Sequence, residues 1–73
     1  MGSVYKLIEA TGSSPLSFED AVQNAIVEAS KVLTNLRVAE VTEMDAQLEN
    51  GNIVAYKVKV RFSFKVEVEP ETF

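Results

Sequence analysis

The sequence predicts an α+β domain with the element order β-α-β-β, in which a three-stranded antiparallel sheet wraps around one helix. Three observations lead to this prediction. Residues 54–68 alternate between apolar and polar side chains, as expected of a long strand that is buried on one face. Residues 18–35 instead carry apolar side chains at three- and four-residue steps, which is typical of an amphipathic helix. Asn50-Gly51 separates two alternating runs and indicates a hairpin.

Length and composition favour a single domain that gains buried area by self-association. The 73 residues predict one domain spanning 1–73, and a domain of this size buries a smaller fraction of its surface than a larger one. The sequence contains no Cys and no His, which excludes disulfides and a zinc site of the usual kind. We therefore expect oligomerisation to supply the missing burial.

Charge and hydropathy exclude two classes of partner. The net charge of -4 is unfavourable for a protein that binds nucleic acid through its phosphates. No apolar run is long enough to span a membrane, and the first residues lack the pattern of a signal peptide. The sequence thus predicts a cytoplasmic protein that contacts neither nucleic acid nor membrane.

The first strand is predicted at residues 4–10, and residues 11–15 are expected to form a turn because they contain Gly, Ser and Pro. The turn Gly12-Ser13-Ser14 lacks the lysine and spacing of a phosphate-binding loop, which favours a plain turn. Ser17 is the expected N-cap of the helix, accepting a hydrogen bond from the backbone of Asp20. The helix then runs from Phe18 to about Asn35. Its apolar stripe, expected to pack on the sheet, consists of Val22, Ala25, Ile26, Ala29, Val32, Leu33 and Leu36.

The hairpin register follows from charge. A two-residue loop would place Asp45 opposite Tyr56, on the apolar face. A three-residue loop, residues 50–52, places Asp45 opposite Lys57, and a one-residue slip would reverse every side chain. This register also pairs Glu43 with Lys59, Met44 with Val58 and Leu48 with Val54. Farther along it would turn Glu40 toward the core, so a β-bulge is predicted near residues 39–41. Residues 67–73 are predicted to end the strand and form an acidic tail.

The available chemistry favours ion binding over catalysis. Without Cys or His, the usual nucleophilic sites are absent, and Glu43 with Asp45 on an exposed strand lacks the enclosed pocket that acid-base catalysis needs. Together with Glu40 and Glu49, these acids offer hard oxygen ligands, which suit Ca²⁺ or Mg²⁺. One strand supplies too few oxygens, so waters, carbonyls or a second subunit would have to complete the site. The alternative is a solvated face on which acids pair with lysines.

Several segments together resemble the dodecins over almost the whole chain. They are Val4-Tyr5-Lys6, Gly12 with Ser14, Glu19 with Ala21, Leu36-Arg37-Val38-Ala39-Glu40-Val41, Tyr56-Lys57-Val58 and Phe62-Ser63-Phe64. The resemblance implies a single dodecin-like domain and a homo-oligomer of twelve subunits forming a hollow sphere. It also implies a binding protein for small molecules or ions rather than an enzyme.

This chain differs from the flavin-binding dodecins mainly at the positions that form their ligand pocket. They carry a stacking tryptophan at the position of Val38, an arginine or other polar group at Asp45, and a glutamine at Lys57. The substitution by Val38 removes the stacking surface, and a carboxylate at position 45 repels a flavin phosphate. Flavin binding is therefore not expected, although flavin storage in a modified pocket remains an alternative.

The calcium dodecins resemble the chain more closely in this region. In that branch Arg-Val-Ala replaces the tryptophan-containing segment and Glu-x-Asp follows, here Arg37-Val38-Ala39 and Glu43-Met44-Asp45. The resemblance implies a calcium site, with Asp45 and Glu43 as the candidate metal ligands. A pairing of Lys57 with Asp45 would reduce the availability of that carboxylate. A structural shell without a specific ligand is the third possibility.

Overall fold

The computed structural model describes residues 3–67 and confirms the predicted fold. Strand β1 spans Ser3–Ser14, helix α1 spans Phe18–Val32, strand β2 spans Leu36–Glu49 and strand β3 spans Asn52–Glu67. The sheet is antiparallel with the order β1-β3-β2, so the last strand is central. Val68 and the acidic tail predicted after it lie outside the described residues. No helix within 3–67 is long and apolar enough to cross a membrane.

The end of β1 differs from the prediction. The strand continues to Ser14 instead of ending at residue 10, and Gly12 pairs with Val58. A Cβ atom at Gly12 would collide with the carbonyl oxygen of Ala21 in α1. Glycine is therefore present because the helix approaches the strand closely, and not because the chain turns. The turn considered as an anion-binding loop does not exist.

The start of α1 is as predicted, but its end is not. The backbone N–H of Asp20 donates to Oγ of Ser17 at 3.0 Å, which confirms the N-cap. The helix ends at Val32, three residues before the predicted end at Asn35. Asn35 adopts a left-handed conformation with φ of 62°, which redirects the chain into β2. Val32 was predicted in the apolar stripe, yet it is 80% exposed.

The core lies between α1 and one face of β3. On β3, Val58, Val60 and Phe62 are buried, which confirms that the alternating strand has one apolar face. On the helix, the buried residues are three alanines four positions apart: Ala21, Ala25 and Ala29. Small side chains along this line allow the helix axis to lie close to the strands. Val22 and Ile26 of the predicted stripe pack around this core while partly buried. Leu33 and Leu36 do not belong to the helix stripe as predicted: Leu33 is the C-cap, and Leu36 packs on the core from the start of β2.

The hairpin has the predicted register but a different loop. Asp45 lies opposite Lys57, Glu43 opposite Lys59 and Met44 opposite Val58. The loop, however, is the two-residue turn Asn50-Gly51, with φ of 51° and 79°. A register shift between Gln47 and Leu48 reconciles the two facts, because it pairs Leu48 with Ile53 instead of Val54. The extra residue predicted for the loop is thus Val54, which is inserted in β3 as a bulge.

An irregularity in β2 itself confirms the predicted bulge and moves it slightly. The register shifts between Val41 and Glu43, so Thr42 is the additional residue instead of one at 39–41. Its Oγ1 donates to the backbone oxygen of Lys59 at 3.2 Å. As a result Glu40 lies opposite Arg61, and Val41 lies opposite Val60 in the core row. The bulge thus places Glu40 beside Arg61, in agreement with the opposition of acids and cations that the sequence predicted along this face.

Candidate functional site

The candidate site lies on the outer face, the face of the sheet turned away from α1. Val58, Val60 and Phe62 are buried against α1, so the residues of β3 that alternate with this row point to the outer face. They include the cations of the central strand, Lys57, Lys59, Arg61 and Lys65. The registers place Asp45 and Glu43 of β2 beside the first two of them. The sequence-predicted metal and clamp positions 43, 45 and 57 therefore share one region of one face.

Glu43 is engaged by a lysine. Its Oε2 lies 3.6 Å from Nζ of Lys59, and both side chains remain largely in solvent. An exposed pair of this kind contributes at most about 1 kcal/mol to stability. A cation approaching Glu43 would therefore compete with Lys59, but against a weak interaction.

Asp45 differs from Glu43 in this respect. It lies directly opposite Lys57 in the ladder, yet the two charged groups are not within ion-pair distance of each other. No other cation among the described side chains pairs with Asp45 either. Its carboxylate is exposed and keeps its oxygens for water or for an incoming cation.

Arg61 organises the next part of the face, which sequence reasoning did not single out. Its guanidinium lies 3.6 Å from a carboxylate oxygen of Glu9 on β1 and 3.8 Å from one of Glu40 on β2. Arg61 thus bridges all three strands. The pair with Glu9 becomes predictable only when β3 is known to lie between β1 and β2, because nothing local in either segment indicates the contact.

One subunit does not assemble a complete metal site from its acids. Among residues 3–67, no group of three or more Asp and Glu side chains is close enough to hold one ion. Glu40 is directed to Arg61, and Glu49 stands beside the turn opposite Asn52. Glu43 and Asp45 remain as two neighbouring carboxylates on one strand face. Their oxygens suit calcium in type, but are fewer than the six to eight ligands that calcium takes.

Val38, the third position of the family pocket, is remote from the other two. It lies on β2 seven residues from Asp45, a separation of about 20 Å at the rise of a strand. Val38 faces Ser63 and lines a surface cavity of about 400 Å³ together with Tyr5, Arg37 and Lys65. Its short aliphatic side chain offers no aromatic surface there. A compact ligand therefore cannot contact Val38, Asp45 and Lys57 of the same subunit.

The chain is similar to known proteins along nearly all of its length. The family model described as Dodecin matches residues 4–67. The calcium dodecin of Mycobacterium tuberculosis is 38% identical over 64 residues, covering 88% of this chain and 90% of that protein. A crystal structure of a Thermus thermophilus dodecin variant superposes with a TM-score of 0.84 at 33% identity, covering 92% of this chain and all of that one.

A second similar structure is a calcium dodecin from M. tuberculosis, described as a calcium-chelating antigen with a novel calcium-binding site. It superposes with a TM-score of 0.77 at 33% identity and covers 94% of this chain and 99% of that one. These matches are consistent with the observed β-α-β-β topology and span the strands that carry the candidate residues.

Proposed function

Because the chain belongs to the dodecin family, we propose that it is a non-enzymatic, homododecameric binding protein that holds calcium at contacts between its subunits. The whole chain, residues 1–73, forms one dodecin-like domain in this proposal, and the assembly is a hollow cytoplasmic shell. Asp45 and Glu43 contribute carboxylate oxygens to the ion. Other small ions of similar chemistry compete for the same ligands.

The observation that supports this function is the carboxylate of Asp45, which is exposed, has no ion-pair partner among the described side chains and lies two positions from Glu43. Alternate residues of a strand point to the same face, so both acids reach the same volume of solvent. Calcium prefers carboxylate oxygens, and the calcium dodecin of M. tuberculosis is 38% identical to this chain. When bound, the ion would offset the repulsion between the two carboxylates and lock the surrounding side chains.

The number of available oxygens supports a calcium site at a contact between subunits. Two carboxylates provide at most four ligand atoms, whereas calcium takes six to eight. The described acids of one chain do not supply a third carboxylate. Waters, backbone carbonyls or a neighbouring subunit complete the coordination. A site shared between subunits stabilises the assembly as well as binding the ion.

Titration calorimetry of the purified wild-type protein with CaCl₂, after exhaustive treatment with chelator, tests the function. We expect saturable binding of Ca²⁺ and weaker binding of Mg²⁺, which is smaller and demands near-ideal octahedral geometry. The melting temperature should rise with the concentration of free Ca²⁺. Absence of both heat and thermal shift at millimolar Ca²⁺ would exclude the proposal.

Flavin binding in a modified pocket is the second candidate, and the cavity beside Val38 is the observation in its favour. The ring of Tyr5 and the cations Arg37 and Lys65 line this cavity of about 400 Å³. Against it stand the missing stacking surface at Val38 and the negative charge of Asp45. A yellow preparation that quenches added riboflavin would support this candidate. A colourless protein that binds neither flavin nor calcium would support the third possibility, a structural shell without a specific ligand.

A further inference from the structure

The turn at the tip of the β2–β3 hairpin contains the Asn-Gly pair of the sequence. Asn50 and Gly51 have φ of 51° and 79°, and the ladder below them ends on the pair Glu49–Asn52. Both turn residues are exposed to solvent. The turn thus holds a side-chain amide next to the backbone nitrogen of a glycine, a pairing with a chemistry of its own.

The two groups that can react with each other have no other partner. They are the side-chain amide carbon of Asn50 and the backbone nitrogen of Gly51. In the described part of the chain, neither the amide of Asn50 nor the N–H of Gly51 forms a hydrogen bond in the turn. A Cβ atom at Gly51 would meet no heavy atom within 4 Å, so the surroundings of its backbone are open. Because glycine also lacks a side chain of its own, nothing shields its nitrogen from the amide of Asn50.

The hairpin below the tip can open at small cost. The pairing of β1 with β3 ends at Ser14 and Tyr56, so residues 46–55 form a sheet of two strands only. Every residue from 47 to 54 is exposed. A hairpin of two strands is marginally stable in water, and segments of this kind open locally with far less free energy than global unfolding requires. The turn therefore reaches the backbone rotations that bring nitrogen and amide carbon together while the core stays folded.

We propose that Asn50 is a site of spontaneous deamidation in the folded protein, with water as the co-reactant. The backbone nitrogen of Gly51 gives its proton to solvent hydroxide and attacks Cγ of Asn50. The bond from Cγ to the side-chain nitrogen breaks, this nitrogen takes up a proton from water, and ammonia leaves a succinimide ring. Asparagine is among the thermolabile residues for reasons of this kind.

Hydrolysis of the ring gives two products. Addition of water at Cγ restores the normal backbone with aspartate at this position. Addition of water at the main-chain carbonyl carbon leaves an isoaspartyl linkage, in which the chain continues through the former side chain. In both products an amide NH₂ has been replaced by OH, no atom is oxidised or reduced, and the new carboxyl group adds a negative charge beside Glu49.

The other asparagines of the chain are comparisons within the same molecule. Asn35 is exposed and also has a positive φ, 62°, but it is followed by Leu36. Asn24 lies in α1, and its Nδ2 donates to the carbonyl oxygen of Ser13 at 2.9 Å. Asn52 lies in β3 and precedes a β-branched isoleucine. A side chain thus follows each of the three, so the amide at position 50 should be lost first.

The two products have different consequences for the hairpin. Asp-Gly suits a two-residue turn as well as Asn-Gly does, so the aspartyl product keeps the hairpin. The isoaspartyl product inserts a methylene group into the backbone of the turn, and the pair Glu49–Asn52 can no longer close in its present register. Isoaspartate at position 50 should therefore release the two-stranded end of the sheet.

Peptide mapping by mass spectrometry, after incubation of wild-type protein under native conditions at mildly alkaline pH, tests the site. We expect loss of the amide at Asn50, detected as the mass gain of NH₂ replaced by OH and as released ammonia, while Asn35 stays intact over the same interval. Retention of the amide at Asn50, equal loss at Asn35, or loss at Asn50 only in denaturant would each overturn the proposal.

Gly51→Asn is the matched variant, because asparagine tolerates a positive φ and the open space at Gly51 accepts a Cβ atom. Its side chain covers the attacking nitrogen, so the amide at Asn50 should persist where the wild type loses it. Loss at the wild-type rate would overturn the role assigned to glycine. The comparison of Asn50 with Asn35 in the wild type does not depend on the folding of this variant.

Hydrogen exchange tests the consequence for the hairpin. The amides of residues 46–55 should exchange faster in the isoaspartyl fraction of aged protein than in fresh protein. Asn50→Asp, which carries the same added charge on a normal backbone, is the control and should exchange like the wild type. Equal exchange in the isoaspartyl fraction and in Asn50→Asp would contradict the predicted release of the hairpin end.

Discussion

Asp45 lies directly opposite Lys57 in the β2–β3 ladder without forming an ion pair with it, whereas the neighbouring opposition of Glu43 and Lys59 does form one. The two acids are thus unequal although they share a face and a spacing. Asp45 offers its oxygens without losing a partner. Glu43 must first release the amine of Lys59 before it can bind a metal ion. Their ion pair is exposed to solvent and therefore weak. Each acid can accordingly be assigned a different contribution to calcium binding.

Asp45→Asn should remove most of the response to calcium. Binding to the folded assembly at a hundred times the dissociation constant stabilises by about 2.7 kcal/mol, and about 1 kcal/mol shifts the melting temperature of a domain this size by roughly 4–8 °C. Calorimetry should show this calcium-dependent shift in the wild type and its loss in Asp45→Asn. Glu28→Gln is the control, since it removes another exposed acid, on α1 instead of the outer face. An equal shift in Asp45→Asn would exclude Asp45 as a ligand.

Lys59→Gln should increase calcium affinity several-fold. The substitution removes the cation that holds Glu43 at 3.6 Å and also lowers the local positive potential. Lys31→Gln provides the comparison, because Lys31 forms a similar exposed pair with Glu28 on the helix. Isothermal titration of both variants separates the local effect from the change in net charge. If calcium affinity rises equally in both variants, the ion pair between Lys59 and Glu43 does not control calcium binding.

The register of the hairpin was predictable because charge and hydrophobicity agree on it. Asp45, Glu43 and Met44 have the partners that the alternation requires. The loop was predicted wrongly because a register argument counts residues between paired positions and cannot tell a residue in the loop from one in a bulge. The shift at Gln47 and Leu48 has the same effect on the pairing of Asp45 as a longer loop.

The errors in the first half of the chain have a different cause, which is tertiary contact. Gly12 and Ser14 have the composition of a turn, but the nearness of α1 to β1 explains the glycine, and the buried Ser14 donates to Asp20 at 2.6 Å. The bridge from Glu9 through Arg61 depends on strand order. Ligands that a second subunit contributes to the calcium site can be predicted neither from the sequence nor from the structure of a single chain.

A triple variant, Val38→Trp with Asp45→Arg and Lys57→Gln, should gain flavin binding. It introduces the residue types that the flavin-binding dodecins carry at these positions: an aromatic surface, a cation in place of the repelling carboxylate, and an amide. Because Val38 and Asp45 are about 20 Å apart along β2, the gain is expected only in the assembled protein. Quenching of riboflavin fluorescence measures it. Val38→Trp alone, which retains Asp45, is the control and should bind more weakly.

That comparison also tests where the pocket lies. Equal quenching by assembled and dissociated triple variant would place the flavin on a single subunit, against the separation of the three positions. No quenching in either form would mean that the three positions are insufficient to define the pocket in this chain.

Gly12→Ala should destabilise the fold by about 1–3 kcal/mol, because its methyl group would overlap the carbonyl oxygen of Ala21 and approach Cβ of Ala25 to 3.0 Å. Ser13→Ala, an exposed neighbour, is the matched control and should change stability by less than about 0.5 kcal/mol. Chemical denaturation of both variants gives the difference.

The identity of the obstructing atom adds a sharper test. Since the first collision is with a backbone oxygen, trimming the side chain in Gly12→Ala/Ala21→Gly cannot relieve it, and glycine in a helix costs a further 1 kcal/mol or so. The double variant should therefore be less stable than Gly12→Ala. A double variant that regained stability would mean that side-chain crowding, and not the approach of the α1 backbone to β1, requires glycine at this position.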